Sequence, residues 1–240
     1  MSKKIENNFN YILSTIICFC IVLITQKIFF VICRFCFQMT SNIIVDPQGN
    51  IIEHFYYFLI AFIITYFIHK TKNIDFGYHL FSVKTALKFL LIIIAISSCF
   101  SLIDALFGLK VAIDRSFMWL IIFQLFFSGL GEEIIFRSIP IMFFDKYIKG
   151  KDKNINIIGF KMDLSMILSS ILFTIFHISY YSNEPLYAMI YSLSLMFFYG
   201  IIFSWIYRKT NSIWLCMIAH GLSNVIALVF PVISGLIYGV

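Results

Sequence analysis

Charge is scarce in this 240-residue chain, where Asp, Glu, Lys and Arg together make up 12% of the residues. An ordinary soluble domain carries roughly 25%, so a water-covered surface is excluded. Proline is rare as well, at 4 residues, and no linker or internal repeat divides the chain. The cysteines (Cys18, Cys20, Cys33, Cys36, Cys99, Cys216) lack the spacing of a secreted disulfide framework. Cys33 and Cys36 form a CxxC, but no second pair completes a metal site, and all six read as small buried hydrophobes. The net charge of +6 does not mark a nucleic-acid partner, because the lysines fall in short clusters between apolar runs.

What the chain has instead is hydrophobic length: 61% of its residues are apolar. A bilayer is crossed by about 20 such residues in a helix, and runs of this kind occur at 9–36, 54–69, 87–107, 116–145, 163–181, 186–207 and 212–230. The expected fold is all-α, a polytopic bundle of seven to eight membrane helices. The apolar tail 231–240 is either a bent extension of the seventh or a short eighth. Lys3 and Lys4 precede a long apolar stretch without a small-residue cleavage site, so the first helix reads as retained rather than as a signal peptide. With the N-terminus cytoplasmic, Lys70, Lys72, Lys84, Lys88, Lys146, Lys149, Lys151, Lys153, Lys161, Arg208 and Lys209 all fall inside. Nothing in the sequence sets an oligomeric state.

Ionisable side chains within these runs are few, and each is costly in lipid. Lys27, Arg34 and Asp104 lie toward the outer ends of their helices and read as anchors or locally paired groups. Glu132, Glu133, Arg137, His177 and His220 lie deeper. At about 1.5 Å per residue, Glu132 comes out about 18 Å from the cytoplasmic end of its run, His177 about 21 Å, His220 about 14 Å and Asn224 about 20 Å. Four polar groups on three helices thus fall in one layer. Glu133 and Arg137 are four apart, which predicts an ion pair along the helix. Glu132 points about 100° away from Glu133, so its partner should come from another helix.

A carboxylate beside an imidazole is suited to deprotonating water for amide hydrolysis, and a second histidine with an asparagine amide is suited to an oxyanion. Zinc held by Glu132, His177 and His220 is an alternative, although the HExxH spacing is absent. Cys216 and Ser223 lie one turn either side of His220 and offer a nucleophile, but that reading leaves Glu132 and His177 unexplained. A buried hydrogen-bonded network holding helices together is the non-catalytic alternative.

Glu132-Glu133-xxx-Arg137, Phe173-xxx-His177 and His220-xxx-Asn224, in that order and each in an apolar run, resemble the EExxxR, FxxxH and HxxxN motifs of the CPBP family. That family comprises CaaX prenyl endopeptidases and bacterial abortive-infection-type intramembrane proteases. The resemblance covers a core at 116–228, preceded by extra membrane helices over 1–110. It implies a glutamate-dependent intramembrane endopeptidase, with Glu132 and His177 activating water, His220 and Asn224 stabilising the oxyanion, Glu133 braced by Arg137, and Phe173 in support. No cofactor is expected, with zinc as the alternative since the family has also been described as metalloproteases. The implied partners are the bilayer and a hydrophobic peptide or membrane-protein substrate. Bacterial members are similar to proteins of peptide processing or bacteriocin self-immunity, and a non-catalytic immunity or binding role for the same cavity is the other reading. The abundance of Ile, Phe, Lys and Asn fits A/T-rich codons, hence a low-GC bacterium, its cytoplasmic membrane, and short hydrophobic peptides rather than prenylated ones.

Overall fold

The computed structural model of the chain describes Val31 and residues 47–111, 113–157 and 160–238. The expected first helix at 9–36, with Lys3, Lys4, Cys18, Cys20, Lys27, Cys33, Arg34 and Cys36, lies outside these apart from Val31. Among the described residues, six helices are long and apolar enough to cross a membrane: α1 (Pro47–Lys72), α2 (Val83–Leu106), α3 (Phe117–Tyr147), α4 (Leu164–Tyr181), α5 (Leu186–Thr210) and α6 (Ile213–Tyr238). Each expected run from the second onward has its helix, so the chain is a mostly helical membrane protein with six spans among the described residues rather than a demonstrated seven or eight. The tail does not form a separate helix within the described residues: Pro231 lies inside α6, which continues to Tyr238.

Local chemistry sets the boundaries. Asp163 caps α4, its carboxylate accepting from the Met166 N–H at 3.0 Å, and Ser82 caps α2 through Thr85 N–H at 3.1 Å. Pro185 sits at the N-cap of α5, where its missing N–H costs nothing. Asn211 ends α5 in the left-handed conformation, with φ of 47°. Between α3 and α4 an antiparallel hairpin joins β1 (Asn154–Ile157) to β2 (Phe160–Asp163), with Asn154 opposite Asp163 and Ile155 opposite Met162.

The most buried spans are α3 and α6, with 50% and 44% of their apolar windows inside the protein, against 22 to 28% for the others. They form the interior, and outward-facing Ile63, Phe67, Leu87 and Leu91 provide the lipid face. Two glycines allow the close packing of α3. A Cβ on Gly131 would lie 2.7 Å from the Phe58 backbone nitrogen of α1, and one on Gly129 would lie 2.9 Å from the His220 Cβ of α6. Small residues at such crossings let membrane helices approach and gain dispersion contacts.

Helix α3 is not regular. It contains two π-helical stretches, Phe123–Phe127 and Ile134–Ser138, on either side of Ser128–Glu133. The second has a cause in sequence: Pro140 has no N–H to give the Phe136 carbonyl, and its ring excludes that carbonyl from the usual position. Within a membrane the freed carbonyl must find another donor. Ser169 Oγ of α4 supplies one, and Arg137 Nη1 supplies a longer one at 3.4 Å. Wide turns of this type recur at functional sites, and here they flank the adjacent carboxylates.

At the lysine-rich end of the bundle, Arg208 of α5 binds two carboxylates. Its Nε lies 2.7 Å from Asp163, and its terminal nitrogens lie 2.5 Å from Asp145. Charge-assisted, forked bonds of this kind are among the strongest available to a protein. They tie the end of α3, the hairpin and the end of α5 together. Toward the other end, Asp104 accepts from Tyr191 Oη at 2.8 Å, the local pairing expected of it.

Candidate active site

Glu132 and Glu133 are neighbours in sequence with opposite fates in the structure. The Glu133 side chain is fully buried at 0% exposure, whereas that of Glu132 keeps 14%. The buried carboxylate is surrounded by cation and imidazole: Glu133 Oε1 lies 2.8 Å from His220 Nδ1, and Oε2 faces Arg137 Nε at 3.4 Å. The Arg137 pair is a charge contact rather than an aligned hydrogen bond, and among the described residues Arg137 Nε and Nη2 have no hydrogen-bond partner. The guanidinium compensates by stacking, with its carbon 4.3 Å from the Phe173 ring centroid and 5.8 Å from that of Phe203. Phe173 therefore has a definite place: it covers the buried cation and lies beside both histidines.

The imidazoles are oriented by their Nδ1 atoms. Only a donor can face a carbonyl oxygen, so His177 Nδ1–H donates to the Phe173 carbonyl at 2.8 Å, and Nε2 is the acceptor nitrogen of the neutral ring. His220 Nδ1–H donates to the Glu133 carboxylate by the same reasoning. The His220 ring stacks on Phe203 with centroids 4.9 Å apart and planes inclined by 18°. Its Nε2 stands 3.9 Å from Glu132 Oε2, an ion-pair distance too long for a hydrogen bond. Phe173 lies 4.4 Å from His177 and 6.1 Å from His220, measured between ring centroids.

The structure brings Glu132, Glu133, Arg137, Phe173, His177 and His220 into one cluster, with His177 in electrostatic reach of Glu132 rather than bonded to it. Asn224 lies one turn beyond His220, and its amide donates to Ser128 Oγ at 3.0 Å. Among the described residues no group of three or more His, Cys, Asp or Glu is placed to hold a metal ion. The nucleophile reading fails on geometry. Cys216 is fully buried against the Phe203 carbonyl, and Ser223 Oγ donates to the His220 carbonyl rather than to its ring.

Glu132 does take its partner from another helix, but that helix is α1. His54 Nε2 lies 3.3 Å from Glu132 Oε1. The apolar run that marks α1 begins at 54, yet the helix begins seven residues earlier at Pro47. Its first turns carry Asn50, Glu53 and His54 into the protein, all buried. The signal was present as two pairs at spacing four, Asn50-xxx-His54 and Glu53-xxx-Tyr57, which put polar groups on adjoining faces of one helix.

Residues 114–226 match the family model described as type II CAAX prenyl endopeptidase Rce1-like. This segment is similar to an Rce1-like domain. It begins just before α3 and contains the clustered Glu132, Glu133, Arg137, Phe173, His177 and His220 together with Asn224, and the family whose model it matches is one of proteases. No curated protein and no solved structure matches the chain.

Proposed function

We propose that the chain is a glutamate-dependent intramembrane endopeptidase that cleaves a hydrophobic or membrane-associated peptide with activated water. One observation carries the reading. Of two adjacent carboxylates, Glu133 is sealed and neutralised by Arg137 and His220, while Glu132 keeps partial access and is ringed by imidazoles. Glu132 takes a proton from water, and the hydroxide adds to the scissile carbonyl carbon. His177, its Nδ1–H held by the Phe173 carbonyl, offers Nε2 as a second acceptor for that water. His220 is anchored through Nδ1–H on the Glu133 carboxylate with its Nε2 turned to the Glu132 side, and this ring together with the Asn224 amide forms the oxyanion site. Collapse of the tetrahedral intermediate breaks the C–N bond as the proton passes from Glu132 to the leaving amine.

The test uses purified protein in detergent with two probes, an internally quenched Leu/Ile/Phe-rich peptide and a farnesylated CaaX peptide. Glu132→Gln should lose cleavage by on the order of a hundredfold or more, as removal of a general base does, with unchanged abundance in the membrane. Cleavage of either probe at the wild-type rate by Glu132→Gln sinks the mechanism. Stoichiometric zinc with chelator-sensitive activity sinks its metal-free form.

We place this activity in a bacterial cytoplasmic membrane, N-terminus inside, in peptide processing or bacteriocin self-immunity. Protection that survives Glu132→Gln in a producer strain identifies immunity by binding instead. Reporter fusions at Asn73 and Gly108 read the topology, with the first cytoplasmic and the second not.

A further inference from the structure

We propose that His54, outside the matched segment 114–226, is the positioning residue for Glu132. This rests on the reading of Glu132 as the general base. His54 Nδ1 lies 3.0 Å from the Asn50 carbonyl one turn earlier in α1, and a carbonyl accepts only, so Nδ1 carries a hydrogen. Its other nitrogen, Nε2, lies 3.3 Å from Glu132 Oε1. Two lone pairs cannot meet at that distance without repulsion, so one proton lies between them and the contact is a charge-assisted hydrogen bond.

The ring itself is fixed from both sides. The Phe123 ring meets it edge-on with centroids 4.9 Å apart, and the Tyr57 ring lies 5.4 Å away. Tyr57 in turn donates to Glu53 on the same helix. Among the described residues, the ionisable groups around the pair are Glu53 and Tyr57 from α1, His220 from α6, and His177, Tyr180 and Tyr181 from α4. Among the described residues, His54 makes the shorter of the two ion-pair contacts to Glu132, since His220 stands off at 3.9 Å. With Oε1 held by His54, the other oxygen, Oε2, is the one left to take the proton of water. A helix outside the protease domain thereby sets the direction in which its base acts.

Two substitutions separate the nitrogens. His54→Asn keeps a donor near the Nδ1 position and removes the reach to Glu132, while His54→Gln places an amide donor near the Nε2 position. With the quenched peptide, His54→Asn should lower kcat about tenfold to a hundredfold, the range for a hydrogen bond to a charged group, with KM little changed. His54→Gln should recover most of that loss. The carboxyl stretching band that disappears in Glu132→Gln, read by infrared difference spectroscopy, should move in His54→Asn and stay in place in His54→Gln.

If His54→Asn cleaves like the wild type and leaves the band unmoved, the assignment is overturned. Equal losses in both variants with an unmoved band also overturn it, because His54 is then only a packing residue. Should the wild type cleave neither probe, the band still decides the positioning role, and the failure falls on the protease reading alone.

Discussion

Adding a single methyl group at Gly131 tests whether the crossing of α1 over α3 is what holds the site together. The alanine Cβ would stand 2.7 Å from the Phe58 nitrogen and 2.8 Å from the Tyr57 Cβ, where ordinary contact starts at about 3.4 Å. Backbone atoms cannot rotate aside, so α1 must retreat by about 0.7 Å at this point. Overpacking of this size costs about 1–3 kcal/mol. His54 lies one turn from Phe58, so the same retreat takes its bond to Glu132 from 3.3 Å toward a separation at which it no longer counts as a hydrogen bond. Gly131→Ala should therefore lower both the thermal midpoint in detergent and kcat, while Ile63→Ala on the exposed face of α1 should change neither appreciably. A Gly131→Ala protein with wild-type midpoint and wild-type cleavage would refute the idea that close approach of these helices builds the site.

Three further outcomes follow from other parts of the molecule. Arg137→Met strands the fully buried Glu133 charge and should cost about 3–5 kcal/mol; pairing it with Glu133→Gln should recover much of the stability but not the cleavage, as denaturant titration and the peptide assay would show. Arg208→Ala removes the clamp on Asp145 and Asp163 and should make the Lys151–Lys153 region more sensitive to trypsin, at a cost of about 1–3 kcal/mol. In the connection between α1 and α2, burial pushes the Asp75 carboxyl upward, but bonds from the Gly77 N–H, Asn211 and His79 outweigh it and hold it below its ordinary value of 3.8. A depressed carboxyl stabilises the fold above its unfolded value and loses that contribution as pH falls through the folded one. Thermal midpoints of wild type and Asp75→Asn should then differ near neutral pH and converge as pH falls below 3.8.

Hydropathy located the described helices within a few residues at most ends, because lipid demands both an apolar surface and complete backbone hydrogen bonding. The pairing of Glu133 with Arg137 was readable from their spacing for a similarly local reason. Helix α1 was shortened in the same reading, and the error was informative. A search for apolar residues stops at Glu53, but the polar residues before it face the protein interior rather than lipid. The π turn before Pro140, whose freed carbonyl is claimed by Ser169 of another helix, depends on a neighbour that sequence does not place.

By itself the sequence determined that this is a membrane helix bundle, that Glu132, His177, His220 and Asn224 share a layer, and that Glu133 belongs with Arg137. These follow from the bilayer's fixed thickness and the helix's fixed rise, which convert residue number into depth. Depth leaves the direction of a side chain around the bundle open. Only tertiary structure decided that α1 crosses α3 at Gly131, that His220 bonds to Glu133 rather than to Glu132, and that His54 is the imidazole against Glu132. The physical reason is that rotation and crossing of helices are set by side-chain packing between segments far apart in sequence, which no local spacing encodes.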